Sequence, residues 1–121
     1  MKNLAFVFLL TFSINCFSQD TITTAKARDY MDKEVYVIGK VVSYKLAAEG
    51  KTTNYINIDK PYPESVFTVV ISTYYLEKLH LKIEDLNNKD IYIKGTITTY
   101  KNDPKQIPQI YNPISIEIKK D

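Results

Sequence analysis

The sequence predicts an all-β domain with short helices, closed as a small five-stranded barrel. Three observations carry that expectation: a duplicated segment, a glycine at the same place in both copies, and the order of the remaining elements. Residues 32–45 read DKEVYVIGKVVSYK, and residues 88–101 read NKDIYIKGTITTYK. Laid over each other they share Lys33/Lys89, Tyr36/Tyr92, Gly39/Gly95, Tyr44/Tyr100 and Lys45/Lys101. Each copy alternates apolar and polar residues, the period of a half-buried strand. Val35, Val37 and Val41 point one way in the first copy, and Ile91, Ile93 and Ile97 do so in the second. Gly39 and Gly95 fall on that same inward face, where the missing side chain lets a long strand coil and serve two sheets.

Taken in order, residues 23–31 (TTAKARDYM) predict a short N-terminal helix, with Thr23 or Thr24 as N-cap and Ala25, Ala27 and Tyr30 available to pack. Strand one follows over residues 34–46, and AAEGK at 47–51 is its turn, marked by Gly50. Strand two covers 53–59, with Ile56 and Ile58 inward and Tyr55 and Asn57 outward. KPYPES at 60–65 is excluded from strand interior because its two prolines lack the ladder donor. Strand three is VFTVVIS at 66–72, apolar on both faces and so central.

Leu76, Leu79, Ile83 and Leu86 recur at roughly helical spacing, so one or two helical turns should plug an end of the barrel. Strand four is expected over 89–101, a loop over 102–108, and strand five over 109–118 with Ile114, Ile116 and Ile118 inward. Three strands, a helix and two more strands is the order of the five-stranded Greek-key OB-fold barrel, whose helix lies between strands three and four.

The chain has 121 residues, room for one domain. Its N-terminus reads as an export leader: Lys2, an apolar run from Leu4 to Ile14, and small residues at Cys16 and Ser18, with cleavage expected after Ser18 or one residue later. Residues 1–18 are then a signal peptide and 19–121 the single domain, exported to the periplasm or beyond. The apolar run is shorter than the roughly 20 residues a membrane-crossing helix needs, so no stable membrane span is expected. Lipidation at Cys16 is the alternative fate of the leader, disfavoured by Asn15 where a small residue is usual. Loss of the leader removes the only cysteine, a composition suited to an oxidising compartment. The formal charge of +2 falls to +1 without Lys2, which gives no whole-molecule attraction to nucleic acid or anionic lipid. Any such attraction has to come from a local cluster.

Residues 23–118 resemble a family of small exported bacterial OB-fold proteins, described as nucleic-acid-binding OB domains of the tRNA-anticodon-binding-like kind. The most specific piece is Asn57-Ile58-Asp59-Lys60-Pro61-Tyr62-Pro63 running into Phe67-Thr68-Val69-Val70-Ile71. Smaller matches lie at 27–33, at Gly39-Lys40-Val41, and at Pro108-Gln109-Ile110 followed by Ser115-Ile116-Glu117-Ile118. The chain departs from the family at Asp32, where glycine is usual, and at 102–108, where a tight glycine turn is usual.

OB-folds bind ligands on strands two and three, between the loops joining strands one–two and four–five. Tyr44-Lys45 and Tyr100-Lys101 end the two long strands where those loops begin. With Lys51, Tyr55, Asn57, Tyr62, Lys105 and Tyr111 they give rings and ammonium groups for one face. Single-strand binders use such a mixture, rings to stack on bases and lysines to follow phosphates. The same residue types also occur as solvated strand surface, and Glu49, Asp59, Glu64 and Asp103 lie among them and blunt the field.

The lone His80 reads as a surface or cap residue, since zinc would need further ligands built from carboxylates. Arg28 is the only arginine and belongs to the leading helix. No catalytic spacing or phosphate-cradling glycine loop is present. The expected function is therefore non-enzymatic and without cofactor or metal: an exported binding module for single-stranded nucleic acid or a similar oligomeric anion. The alternatives are an envelope protein-interaction or scaffold module and an oligosaccharide-binding protein.

Overall fold

The computed structural model describes residues 20–120, and the expected leader lies outside the described residues. Among the described residues, seven strands run in one sheet: β1 (Thr21–Thr23), β2 (Glu34–Lys45), β3 (Thr53–Ile58), β4 (Thr68–Ser72), β5 (Asp90–Thr99), β6 (Pro108–Tyr111) and β7 (Ser115–Ile118). Their order is β1-β2-β3-β4-β6-β5-β7, with β2 paired also to β5. The two repeated segments are β2 and β5, and each serves two neighbours along its length. β2 pairs with β5 through residues 34–40 and with β3 through 41–45. β5 pairs with β7 through 91–94 and with β6 through 97–99.

The inward face is as the alternation predicted. Val37, Val41, Ile91, Ile93 and Ile97 are fully buried and Val35 nearly so, packed with Ile56, Ile58, Phe67, Val69 and Ile110. Gly39 and Gly95 sit where β2 and β5 pass between neighbours. A Cβ at Gly39 would strike Cγ2 of Ile58, and one at Gly95 would strike Cγ2 of Ile110. The glycines thus allow the sheet to bend without driving a methyl group into the opposite wall.

The strand count corrects the expectation of a five-stranded closed barrel: the architecture is a single seven-stranded sheet that turns back on itself through β2 and β5. β1 escaped notice because three residues are too few to show a period; only Ile22 of it is buried, paired in parallel with Val37. Strand five is two strands. Asn112 takes a left-handed φ of 46°, and Pro113 has no N–H to give to a ladder. The chain therefore leaves β6, parallel to β4, and rejoins the sheet as β7, antiparallel to β5. Of the three isoleucines expected inward, Ile116 is buried while Ile114 and Ile118 are 47% and 44% exposed.

The leading helix is a 3-10 helix, Thr24–Tyr30. Its three-residue turn aligns Thr24, Ala27 and Tyr30 on one face. Thr24 and Ala27 are buried and Tyr30 packs on the core, leaving Ala25 exposed, contrary to expectation. Between β4 and β5, the helix α1 (Thr73–Lys78) and a 3-10 turn (Ile83–Leu86) bring Leu76, Ile83 and Leu86 into the core. Ser72 caps α1 by accepting from the Tyr75 N–H at 3.1 Å. His80 follows the helix with φ 58° and its N–H on the Glu77 carbonyl, a surface position that ends the helix in a left-handed turn.

Candidate functional site

The outward face of β2–β3–β4–β6 is built in rows set by strand register. One row reads Lys45, Tyr55, Val70, Tyr111, and the next reads Ser43, Asn57, Thr68, Gln109, Thr98. In the first, Tyr55 and Tyr111 stand two strands apart, about 10 Å at ordinary sheet spacing. They flank Val70, which is only 8% exposed although it faces outward, while the rings themselves are 41% and 59% exposed. The result is two flat, accessible rings over a shared apolar floor, with the Lys45 ammonium next in line.

The β2–β3 loop borders that platform. Lys45, Gly50, Lys51, Thr53 and Tyr55 line an open depression there of about 520 Å³. The loop is held from beneath by Asn54. Its Oδ1 accepts the Ala47 N–H at 2.8 Å, and its Nδ2 donates to the Ile71 carbonyl at 3.1 Å and to Thr73 Oγ1 at 3.2 Å. A buried amide satisfied by a loop, a strand and a helix fixes where that loop leaves the sheet.

The ten sequence-predicted residues are distributed as follows. Lys45, Lys51, Tyr55 and Tyr111 share the end of the face just described. Asn57 is at its centre but is buried and engaged: its Nδ2 donates to Ser43 Oγ at 2.9 Å, and its Oδ1 accepts from Ser65 and Thr68. Tyr62, Tyr100, Lys101 and Lys105 belong to the opposite end, on the loops after β3 and β5. The register makes this separation: Tyr44 aligns through Ile56, Val69 and Ile110 with Ile97, and Tyr100 lies three residues further on. Tyr44 also turns inward onto the core. A bulge between Val41 and Ser43 shifts the alternation by one residue, so Tyr44 shares the side of Ile56.

At that far end the loop after β5 is tied into itself. Asp103 accepts from the Lys105 and Ile107 N–H groups at 2.9 and 2.8 Å, and Gln106 Nε2 donates to the Asp103 carbonyl at 2.7 Å. The Ile107 and Lys105 amides hold the Asp103 carboxyl below the usual carboxylate range, with smaller help from the Lys105 and Arg28 charges. Arg28, assigned from sequence to the leading helix, donates through Nη2 to the Lys105 carbonyl at 3.3 Å. Asp59, which the sequence left free to blunt the field, accepts from the Thr24 hydroxyl at 2.5 Å and the Lys40 N–H at 2.9 Å. Among the described residues, no three of His, Cys, Asp and Glu stand together as a metal-binding group, and no helix is long and apolar enough to cross a membrane.

Two features of the face were missed. Val70 was legible only as one apolar residue of a doubly apolar strand, and its role as floor appears once Tyr55 and Tyr111 are in register with it. The contact of Arg28 with Lys105 spans 77 residues and left no local signal.

The sequence matches no family model and no curated protein. Its fold is similar to solved structures. One is a putative aspartyl-tRNA synthetase from Leishmania major Friedlin, with TM-score 0.55 and 9% identity, covering 84% of this chain and 21% of that one. Another is the structure of yeast Stn1 and Ten1, with TM-score 0.56 and 16% identity, covering 87% of this chain and 65% of that one. The chain thus spans about a fifth of the synthetase and under two thirds of the other. At these identities the likeness is one of fold, and it agrees with an OB-like architecture.

Proposed function

We propose that this protein is an exported, non-enzymatic binding module for single-stranded nucleic acid or a similar oligomeric anion. The observation that carries the reading is the row Lys45–Tyr55–Val70–Tyr111. Two exposed rings about 10 Å apart, fixed by strand pairing, can stack on separate units of one strand at little entropic cost. Lys45 and Lys51 beside them supply cations to the linking phosphates. Likeness in fold to a putative aspartyl-tRNA synthetase, an enzyme named for its tRNA, supports the same class of ligand.

Stacking on one ring is worth about 1–3 kcal/mol, so Tyr55→Ala and Tyr111→Ala should each weaken binding by about 5- to 150-fold. Two phosphate contacts predict a slope of log affinity on log salt of about −1.4. Fluorescence anisotropy with labelled oligo-dT, oligo-U and an anionic glycan at two salt concentrations tests the proposal. Salt-sensitive binding to the oligonucleotides, lost in the Tyr55→Ala/Tyr111→Ala double variant, is expected. Absence of salt-sensitive binding at high micromolar protein overturns it, and salt-independent binding to the glycan alone transfers the platform to a sugar ligand.

A further inference from the structure

We propose that the depression beside Tyr55 is an end subsite, taking the terminal phosphate of a strand whose last base stacks on that ring. The inference rests on the stacking reading above and narrows its ligand to single strands with a phosphomonoester at one end.

The row of side chains stops at Lys45. β2 pairs with β5 only through residues 34–40 and with β3 through 41–45, so no strand continues the platform beyond Lys45. Tyr55 is then the last ring in the row, and the backbone leaving a base stacked there passes to the depression next to it. At about 520 Å³ the depression falls in the range of cavities that hold a small ligand, enough for a phosphate with its sugar.

Its wall is built in advance. The Lys51 N–H donates to the Ala48 carbonyl at 2.8 Å, closing a turn in which Gly50 takes φ 79°. One stem of the loop is held where Asn54 accepts the Ala47 N–H. The other is held where the Thr73 N–H donates to the Thr52 carbonyl at 2.9 Å. A wall tied at both stems needs little further ordering when a ligand enters.

Charge selects the occupant. Lys45 and Lys51 both line the depression, with Thr52 and Thr53, whose hydroxyls can donate. Among the described residues no carboxylate lines it, and neither lysine has an ion-pair partner. Glu49 belongs to the same turn but is not part of the lining. A linking phosphodiester carries one negative charge. A phosphomonoester carries about −1.5 to −2 at neutral pH and offers three strong acceptor oxygens. Two unpaired ammonium groups and a hydroxyl match the monoester; in a strand without that end group the same lysines meet a linking phosphate of half the charge. At the far end of the face the Lys105 charge is shared with the Asp103 carboxylate, so the match is poorer there.

Competition anisotropy on the purified protein tests this. A labelled oligo-dT is displaced by unlabelled oligo-dT bearing hydroxyls at both ends, a 5′-phosphate or a 3′-phosphate. One phosphorylated strand should bind about tenfold more tightly than the hydroxyl strand, as charge-assisted contacts predict, and the favoured end gives the strand's direction. Lys51→Ala should remove most of that ratio and Lys51→Arg should keep it, both with unchanged melting curves because Lys51 is exposed. Tyr111→Ala should weaken all the strands alike, and Lys105→Ala should not alter the ratio. Equal affinity for the three strands overturns the end subsite, as does a ratio that survives Lys45→Ala/Lys51→Ala or falls as far in Lys105→Ala. Salt-sensitive binding without preference for a phosphorylated end leaves the stacking row standing while the subsite falls, and absence of binding by every strand overturns both.

Discussion

The two copies of the repeated segment agree in their first ten residues and part company in their last four. In β2 and in β5 the inward side chains are buried, and the glycine meets an isoleucine of the neighbouring strand. After that, β2 inserts its bulge at Val41/Ser43 and β5 runs on without one. Tyr44 accordingly packs on the core, whereas Tyr100 is 58% exposed and its hydroxyl accepts from Asn102 Nδ2 at 3.4 Å. The tyrosine of an identical Tyr-Lys pair thus packs on the core in one copy and stands on the surface in the other, while the lysine is exposed in both. One extra residue decides which, because a strand's side chains change sides at every step.

The shared part of the comparison is best broken at its glycines. Gly39→Ala should destabilise the protein by about 3 kcal/mol, the upper range for overpacking. Its Cβ would meet Ile58 Cγ2 and also press within 3.1 and 3.2 Å of the Asp59 carboxylate, which already holds Lys40 and Thr24. Gly95→Ala should cost less, about 1–2 kcal/mol. Beyond Ile110, only an ordinary contact with the Pro113 Cα at 3.5 Å awaits it. Urea unfolding measures both. Adding Ile58→Leu, which moves the branch away from Cβ, should recover part of the Gly39→Ala loss, a coupling visible in a double-mutant cycle. Equal losses at the two glycines would show that the bend, and not the opposite wall, sets their cost.

The divergent part is sharpened at the tyrosines. Tyr44→Ala should cost about 2 kcal/mol, less than a fully buried aromatic would, because Tyr44 only partly enters the core. Tyr100→Ala should stay within about 0.5 kcal/mol, as for other exposed positions. Ligand binding separates a third class: Tyr55→Ala and Tyr111→Ala should leave the urea midpoint nearly unmoved and remove affinity. Loss of affinity in Tyr100→Ala of the same size as in Tyr111→Ala would extend the ligand path to the far end of the face.

These differences mark what the sequence could disclose. The inward face of β2 and β5 was readable because period-two alternation and burial are the same fact seen twice. The helical turns under the sheet were readable for the same reason, through Leu76, Ile83 and Leu86. The bulge was not, since inserting Val42 changes no residue's chemistry and only its side. Asn57 and Asp59 carry the polar groups a ligand site needs, but whether those groups are free depends on Ser43, Ser65, Thr24 and Lys40, which reach them only through the fold. Tyr55 and Tyr111 were both named, yet their shared row required the register of β3, β4 and β6.

Smaller effects come from the backbone. Asp32 has φ 66°, and its N–H donates to the Ile97 carbonyl at 2.7 Å as the chain enters β2. A left-handed conformation costs an L-residue about 1–2 kcal/mol, which explains why glycine suits this place. Asp32→Gly should gain roughly 0.5 kcal/mol, the remainder being lost to the greater freedom of glycine in the unfolded chain. Its counterpart in the second copy, Asn88, also has φ 66° and should respond alike. His80→Gly, at the end of α1, should gain a similar amount, because its exposed ring leaves nothing unpaired. Thermal melts of the three variants rank them, and a loss on any one would mean that its side chain contributes more than its strain costs.

The smallest effect belongs to the loop after β5, and it sets the two ends of the outward face apart by pH. Asp103 is held below its ordinary value of 3.8 by the amides of Ile107 and Lys105 first, and by the charges of Lys105 and Arg28 after them. A carboxylate with a depressed folded-state pKa contributes its stabilisation fully above the unfolded value. That contribution fades as pH falls below 3.8 and through the folded value. The loop bearing Lys101 and Lys105 should therefore loosen in that acid window, while the β2–β3 loop, tied by the uncharged Asn54, should not. Amide exchange of Ile107 and Ala47 followed from pH 6 downward reads the two ends separately, after correction for intrinsic rates. Asp103→Asn keeps an acceptor but removes the charge, so it should speed Ile107 exchange at neutral pH and flatten its acid dependence. If Ile107 and Ala47 lose protection together, the loop is held by the sheet as a whole and the Asp103 carboxylate is incidental to it.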